Sequence, residues 1–277
     1  VTTLLSVREL TVRYEGLLAL DAVDLEVTER TIAGLIGPNG AGKSTLIDAV
    51  TGFTPTHAGH VRLADRPLDG LPPHLRVRAG LTRTFQSLEL FDDLTVRENL
   101  AVACSRPRWW EAVMDGLRRP PVADDRAVAA TLEALGLADL ADALPAELPN
   151  GPRHLVAIAR AVVGQPRMVL LDEPAAGLDQ RETQLLATSL RRLPDLGITV
   201  LLVDHDMSLV LGVCDTVCVL DLGRVIATGP PSVVRADPAV ITAYLGTAAE
   251  PEPDTAGPPA AGPDPSGTGQ APGEDRP

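Results

Sequence analysis

One run of nine residues constrains this 277-residue chain more tightly than any bulk property does. Gly37-Pro38-Asn39-Gly40-Ala41-Gly42-Lys43-Ser44-Thr45 fits the pattern Gly-x4-Gly-Lys-Ser/Thr at every position. The apolar run 31–36 precedes it, and residues 43–51 read as a helix after it. A buried strand, a glycine-rich turn and a helix in that order aim successive backbone N–H groups at one anion. The glycines let the chain curl tightly enough to do so. The helix start near Lys43 adds the positive end of its dipole. Lys43 supplies a mobile ammonium for outer phosphates, and Ser44 offers a hydroxyl to Mg²⁺. The run therefore predicts an α/β fold that holds a triphosphate.

Net charge does not oppose this. The formal charge is −13, but attraction to such a loop is local and largely backbone-derived. The acidity does exclude a broad nucleic-acid surface, which needs clustered Lys and Arg. Acid is concentrated at the end of the chain. Residues 247–277 hold 8 Pro and 5 Gly, with six acids against Arg276, which leaves −8 on residues 1–246. That composition cannot offset its ordering entropy, so a disordered tail is expected. Over the whole chain, 45% apolar residues with only 7 aromatics predict an aliphatic core. Cys104, Cys214 and Cys218 are too few for a disulfide framework, as in a reducing compartment, and Cys214 and Cys218 read as core-packing residues. Residues 1–20 carry Arg8, Glu9, Arg13 and Glu15, which predicts no secretory leader. No apolar window is long enough to span a membrane.

Periodicity organises the rest. Residues 4–14 and 17–27 alternate apolar and polar, as half-buried antiparallel strands do. A strand is expected at 60–63 and buried strands at 168–171 and 199–203. Two further strands, 216–220 and 224–228, precede a short helix ending near Tyr244. Helical patterns cover 96–103, 124–135 and 138–143, broken by Pro107, Pro120 and Pro121. Helices are also expected over 152–163 and 181–192. The whole predicts a mainly parallel core sheet, an antiparallel β subdomain and a helical subdomain inserted at about 90–157, all within a domain of residues 1–246.

The strand at 168–171 ends in Asp172-Glu173. Strand alternation is expected to point these carboxylates apart, one toward a Mg²⁺ water shell and one toward an attacking water. Lys43 and Asp172 lie 129 positions apart, so an insertion separates the two motifs. Further motifs follow in order: Thr84-Phe85-Gln86; residues 148–152 ahead of Ile158-Ala159-Arg160-Ala161; Leu170-Leu171-Asp172-Glu173-Pro174; Ala176-Gly177-Leu178-Asp179; and Val203-Asp204-His205-Asp206.

With these residues the chain resembles an ABC-transporter nucleotide-binding subunit over residues 4–246. The stretches 83–86, 90–100, 204–210 and 237–246 look like the cassette of branched-chain amino acid importers, a group that also includes importers of urea and other small polar solutes. The resemblance implies a P-loop NTPase fold, ATP and Mg²⁺ as ligands, and ATP hydrolysis coupled to uptake. Tyr14 falls at the adenine-stacking aromatic, with an ordinary strand aromatic as the competing reading. Gln86 would touch Mg²⁺ and the attacking water. Asp172 would hold the metal, Glu173 would act as general base, and His205 would contact the γ-phosphate. His57, His60, His74 and His154 lack such context and read as surface residues.

The implied partners are a second ABC cassette, two transmembrane permease subunits and an extracytoplasmic solute-binding protein, at the cytoplasmic face of the membrane. Trp109-Trp110, beside Arg106, Arg108, Arg118 and Arg119, reads as packing in the helical subdomain or against the membrane subunits. Two other functions stay open: a soluble ABC ATPase of nucleic-acid or ribosome work, and a nucleotide-gated, weakly hydrolysing subunit.

One departure matters. The family's signature carries Ser, two Gly and Gln after the Leu. Here Leu148 is followed by Pro149, Asn150, Gly151 and Pro152. Pro149 offers neither a hydroxyl nor an N–H, and Pro152 lacks both the amide side chain and the N–H. Leu148, Asn150 and Gly151 remain as contacts for the partner's ATP. Asn150 can supply a side-chain donor, and backbone amides near Gly151 can supply others. A heterodimer with unequal ATP sites is the expectation.

Overall fold

A computed structural model describes residues 2–84, 88–104 and 125–247. Gln86, the Trp109-Trp110 segment and nearly all of the acidic tail lie outside these residues.

Two sheets form the frame. Strands β1 (Thr3–Tyr14) and β2 (Leu17–Thr28) make an antiparallel hairpin, and β4 (Ala58–Leu63) and β5 (Arg66–Pro67) extend it in the order β2-β1-β4-β5. The second sheet has six strands. In it β3 (Ile32–Ile36), β6 (Leu81–Arg83), β7 (Met168–Asp172) and β8 (Thr199–Val203) are joined by β9 (Thr216–Asp221) and β10 (Arg224–Gly229). Their order is β10-β9-β3-β8-β7-β6, parallel throughout except for the β9–β10 hairpin.

The parallel strands are buried on both faces, and strand alternation divides their side chains between two cores. Ile32, Ile36, Val169, Leu171, Val200 and Leu202 point to one face. Against it pack α3 (Val96–Cys104), α4 (Asp125–Ala134), α5 (Asn150–Val162), α6 (Gln180–Leu190) and α7 (Met207–Val213). Ala33, Leu35, Met168, Leu170, Leu201 and Val203 point to the other face, toward α1 (Lys43–Thr51) and the antiparallel sheet. Each fully buried Leu, Ile or Val contributes about 1.5–3 kcal/mol. The core is aliphatic, as composition requires. Cys214 and Cys218 are part of it, and burial pushes their thiols up to about 12 and about 11.

Between β6 and β7 the described residues hold only helices and 3₁₀ turns. The expected helix over 138–143 is a single 3₁₀ turn, Ala138–Leu140. Gly136 and Pro145 bracket it too closely for an α-helix to propagate. Helix α5 starts two residues earlier than expected, at Asn150, because Pro149 serves as its extended N-cap. The last helix, α9 (Pro238–Thr247), runs past Tyr244, and α8 (Pro231–Val234) precedes it. The short α2 (Pro73–Arg78) and β6 carry too few residues for a periodic signal. Among the described residues no helix is long and apolar enough to cross a membrane.

Candidate ATP site

Three loops leave the C-terminal ends of neighbouring parallel strands and meet, as ligand sites in open α/β sheets do. After β3 comes the phosphate loop, after β7 Glu173 and Pro174, and after β8 His205. Gly37 shows why the first loop needs glycine: a Cβ there would sit 2.1 Å from the Leu220 carbonyl oxygen of β9. Gly42 caps α1 in the left-handed region (φ 103°), so the unpaired amides of the helix start face the loop. Lys43 folds back over this cradle. Its Nζ donates to the carbonyl oxygens of Gly37 (2.6 Å) and Pro38 (2.9 Å). Burial lowers the Lys43 pKa, and Glu173 and Asp172 act in the opposite direction.

A cleft of about 460 Å³ opens over Asn39, Lys43, Ser44 and Glu173. Its apolar wall is Leu17, Leu18 and Leu222. Tyr14 stands on the same hairpin, half exposed, with its hydroxyl 3.2 Å from Thr54 Oγ1. Behind the loop, burial raises the Tyr244 pKa while the adjoining Gly37 backbone pulls it down.

The two carboxylates diverge for a different reason than strand alternation. The pleat ends at Asp172, and Glu173 takes a left-handed conformation (φ 47°) with its N–H on Val203 O at 2.7 Å. The turn aims Glu173 into the cleft and leaves Asp172 nearly buried. Arg83 on β6 holds Asp172, with Nη2 2.8 Å from Oδ2, and its Nη1 is 2.5 Å from Asp48 Oδ1 on α1. One guanidinium thus ties the helix after the phosphate loop to the strand that carries Asp172. A planar fork suits such a bridge better than an ammonium does.

His205 is two-thirds exposed, with Nδ1 4.0 Å from Glu173 Oε1. The loop beneath it is fixed by Asp204, whose buried carboxylate accepts the amides of Ala175 (3.2 Å) and Asp206 (2.9 Å). Asp206 in turn caps α7 through Ser208 N and Leu209 N.

The signature segment lies apart from this cleft, at the start of α5. Leu148 is buried. Asn150 Nδ2 donates to Gly177 O at 3.0 Å, and the Gly151 amide donates to Glu182 Oε1 at 2.8 Å. His154 is a correction: it is 8% exposed, with Nδ1 2.8 Å from Pro174 O. On α5 it faces the β7 loop, so burial lowers its pKa, with the Pro174 contact acting in the opposite direction. His57, His60 and His74 are exposed, as expected.

Thus Lys43, Ser44, Asp172, Glu173 and His205 converge, while Leu148, Asn150 and Gly151 form a second locus. Arg83 and Asp204 stand inside the sequence motifs without a role read from them, and Glu182 lies outside them, although Asp179-x-x-Glu182 is a visible capping box.

The ABC transporter family model matches residues 20–176. This chain is an ABC transporter ATP-binding cassette, an ATPase coupled to transport. A second model, the branched-chain amino acid ATP-binding cassette transporter, matches residues 224–250. The cassette is 42% identical over 253 residues to the high-affinity branched-chain amino acid transport ATP-binding protein LivG of Salmonella typhimurium, covering 88% of this chain and 98% of that one. BraF of Pseudomonas aeruginosa, with the same description, is 39% identical over 252 residues, covering 88% and 98%. The crystal structure of another ABC-transporter cassette in its ADP conformation superposes with a TM-score of 0.76 at 30% identity, covering 89% of this chain and all of that one.

Proposed function

We propose that this cassette binds and hydrolyses Mg²⁺-ATP to energise import of branched-chain amino acids or a related small polar solute. The convergence of Lys43, Glu173 and His205 on one cleft carries the catalytic part. The match of residues 224–250 and the likeness to LivG and BraF support the solute class. The cassette domain comprises residues 1–246, with the helical subdomain at about 90–157.

The cradle suits a triphosphate. Amides of residues 39–45 surround the phosphates, and Lys43 exchanges its two carbonyl partners for phosphate oxygens. Ser44 and Asp172 offer oxygen donors that match a hard cation, with Gln86 as a third. When bound, Mg²⁺ neutralises charge on the phosphates. Arg83 holds the Asp172 carboxylate in place for that role. Glu173 accepts a proton from the attacking water as its oxygen bonds to the γ-phosphorus. The bond to the β-phosphate oxygen breaks, giving ADP and phosphate. His205 steadies the γ-phosphate, and Tyr14 covers the adenine beside Leu17 and Leu18.

Each composite site joins one cassette's phosphate loop to the other's signature. The partners are a second, different cassette, two permease subunits and an extracytoplasmic binding protein, with this chain peripheral on the cytoplasmic face. The site that uses this phosphate loop hydrolyses ATP. The site completed by residues 148–152 turns over slowly. Single-turnover hydrolysis by the reconstituted pair tests this, with Glu173→Gln compared against the partner's equivalent. A much larger loss from Glu173→Gln is expected, and equal losses sink the asymmetry. Titrating the binding protein with branched-chain amino acids tests the solute.

A further inference from the structure

The start of α5 is the surface that a second cassette's ATP would meet, and an anion of its own chain already sits on it. First-turn amides have no intrahelical acceptor and are the groups free to hold an anion. Pro149 and Pro152 remove two of them. The Asn150 and Gly151 amides survive, and that of Gly151 is bonded to Glu182 Oε1 at 2.8 Å. The carboxylate is clamped from behind. Its Oε2 accepts the Asp179 amide at 3.1 Å, and Asp179 Oδ1 accepts the Glu182 amide at 2.8 Å. A Cβ on Gly151 would stand 3.1 Å from both Cγ and Oε1 of Glu182, so a side chain there would crowd the contact. The side-chain donor of the segment, Asn150 Nδ2, is bonded to Gly177 O. The Asn150 side chain and the Gly151 amide thus both serve residues 177–182 of the same chain.

We propose that Glu182 is an internal competitor for the signature: its carboxylate holds the amide that the γ-phosphate of the partner-bound ATP would take. The composite site closes only when that carboxylate is displaced. Carboxylate and phosphate oxygens are both charge-assisted acceptors, so they exclude one another at a single N–H. A tethered competitor also acts at high effective concentration, and its charge repels an arriving phosphate. This rests on the reading of the chain as one of two cassettes that share ATP.

The test uses the full chain carrying Glu173→Gln, so that bound nucleotide persists, with and without Pro149→Ser. A fluorescent ATP analogue first measures binding to the single cassette. No binding there refutes the ATP reading itself and leaves no shared ATP to compete for. Sedimentation equilibrium then measures ATP-dependent self-association. Glu182→Ala removes the competitor, and Glu182→Gln removes only its charge. Release of one charge-assisted hydrogen bond predicts association about tenfold tighter for Glu182→Ala in both backgrounds, with Glu182→Gln intermediate. A residue that merely braced α5 would give the opposite sign, because its loss loosens the helix and weakens association. Unchanged or weaker association of both variants, with ATP-analogue binding intact, overturns the proposal.

Discussion

The phosphate loop and the signature segment are both helix starts built to meet an anion, and the chain treats them oppositely. At α1 the anion site is left open. The anions beside it, Asp172 and Glu173, are held in place: Arg83 bonds one and the turn at φ 47° aims the other into the cleft. Lys43 donates to two carbonyls, which a phosphate can displace. At α5 two prolines have stripped donors from the first turn, and a carboxylate sits on one of the amides that remain. One end of the cassette is poised for a ligand from solution, while the other is satisfied from within.

The strongest way to break this contrast is at the open end. Glu173→Gln should lower ATP turnover about a thousandfold, or roughly 4 kcal/mol, while ATP binding survives, because only proton acceptance is lost. Steady-state phosphate release beside nucleotide titration checks it. If turnover falls less than tenfold, Glu173 is not the base.

Gly37→Ala should come next. The added carbon would lie 2.1 Å from a backbone oxygen of β9, which cannot yield without moving the strand. About 3 kcal/mol of stability and most ATP affinity should go, in line with overpacking. Thermal melting and nucleotide titration separate the two losses. A melting temperature equal to wild type would mean that the loop is looser than its geometry states.

Arg83→Leu should cost about 2–3 kcal/mol, since it leaves two facing carboxylates without their shared cation, one of them nearly buried. Arg83→Lys should recover only part, because an ammonium cannot bridge both in one plane. Urea unfolding of the three proteins gives the ranking, and equal midpoints for Lys and Arg would dismiss the bridge.

How much of this was legible in the sequence depends on how locally each function is encoded. The phosphate loop was readable because contiguous residues must curl around one ligand. Asp172 and Glu173 were readable as a strand end, although the backbone turn that parts them was not. The groups that set the state of the site come from afar. Arg83 reaches Asp172 across 89 positions, Glu182 reaches Gly151 across 31, and Asp204 reaches Ala175 across 29. No local pattern reports such pairs. His154 was misread because a polar residue on an amphipathic helix is ordinarily solvated, and only the packing of α5 against the β7 loop buries it. β6 and α2 were missed for brevity alone.

His154 joins the two ends and provides the smallest test. Its ring, on the signature helix, meets the carbonyl of Pro174 just after Glu173. Burial holds its folded pKa below the ordinary 6.5, so the folded cassette binds a proton there less readily than the unfolded chain does. The sign follows: this contribution is fully present above pH 6.5 and is lost as pH falls below it toward the folded pKa. The slope from one proton is at most about 1.4 kcal/mol per pH unit. His154→Gln keeps a polar group of similar reach but cannot titrate. Its unfolding free energy between pH 7.5 and 5.5 should fall less steeply than that of the wild type. Parallel pH curves would show that His154 does not take up the proton. A flatter curve together with slower turnover at pH 7.5 would show that the signature helix and the Glu173 loop are mechanically joined through this one ring.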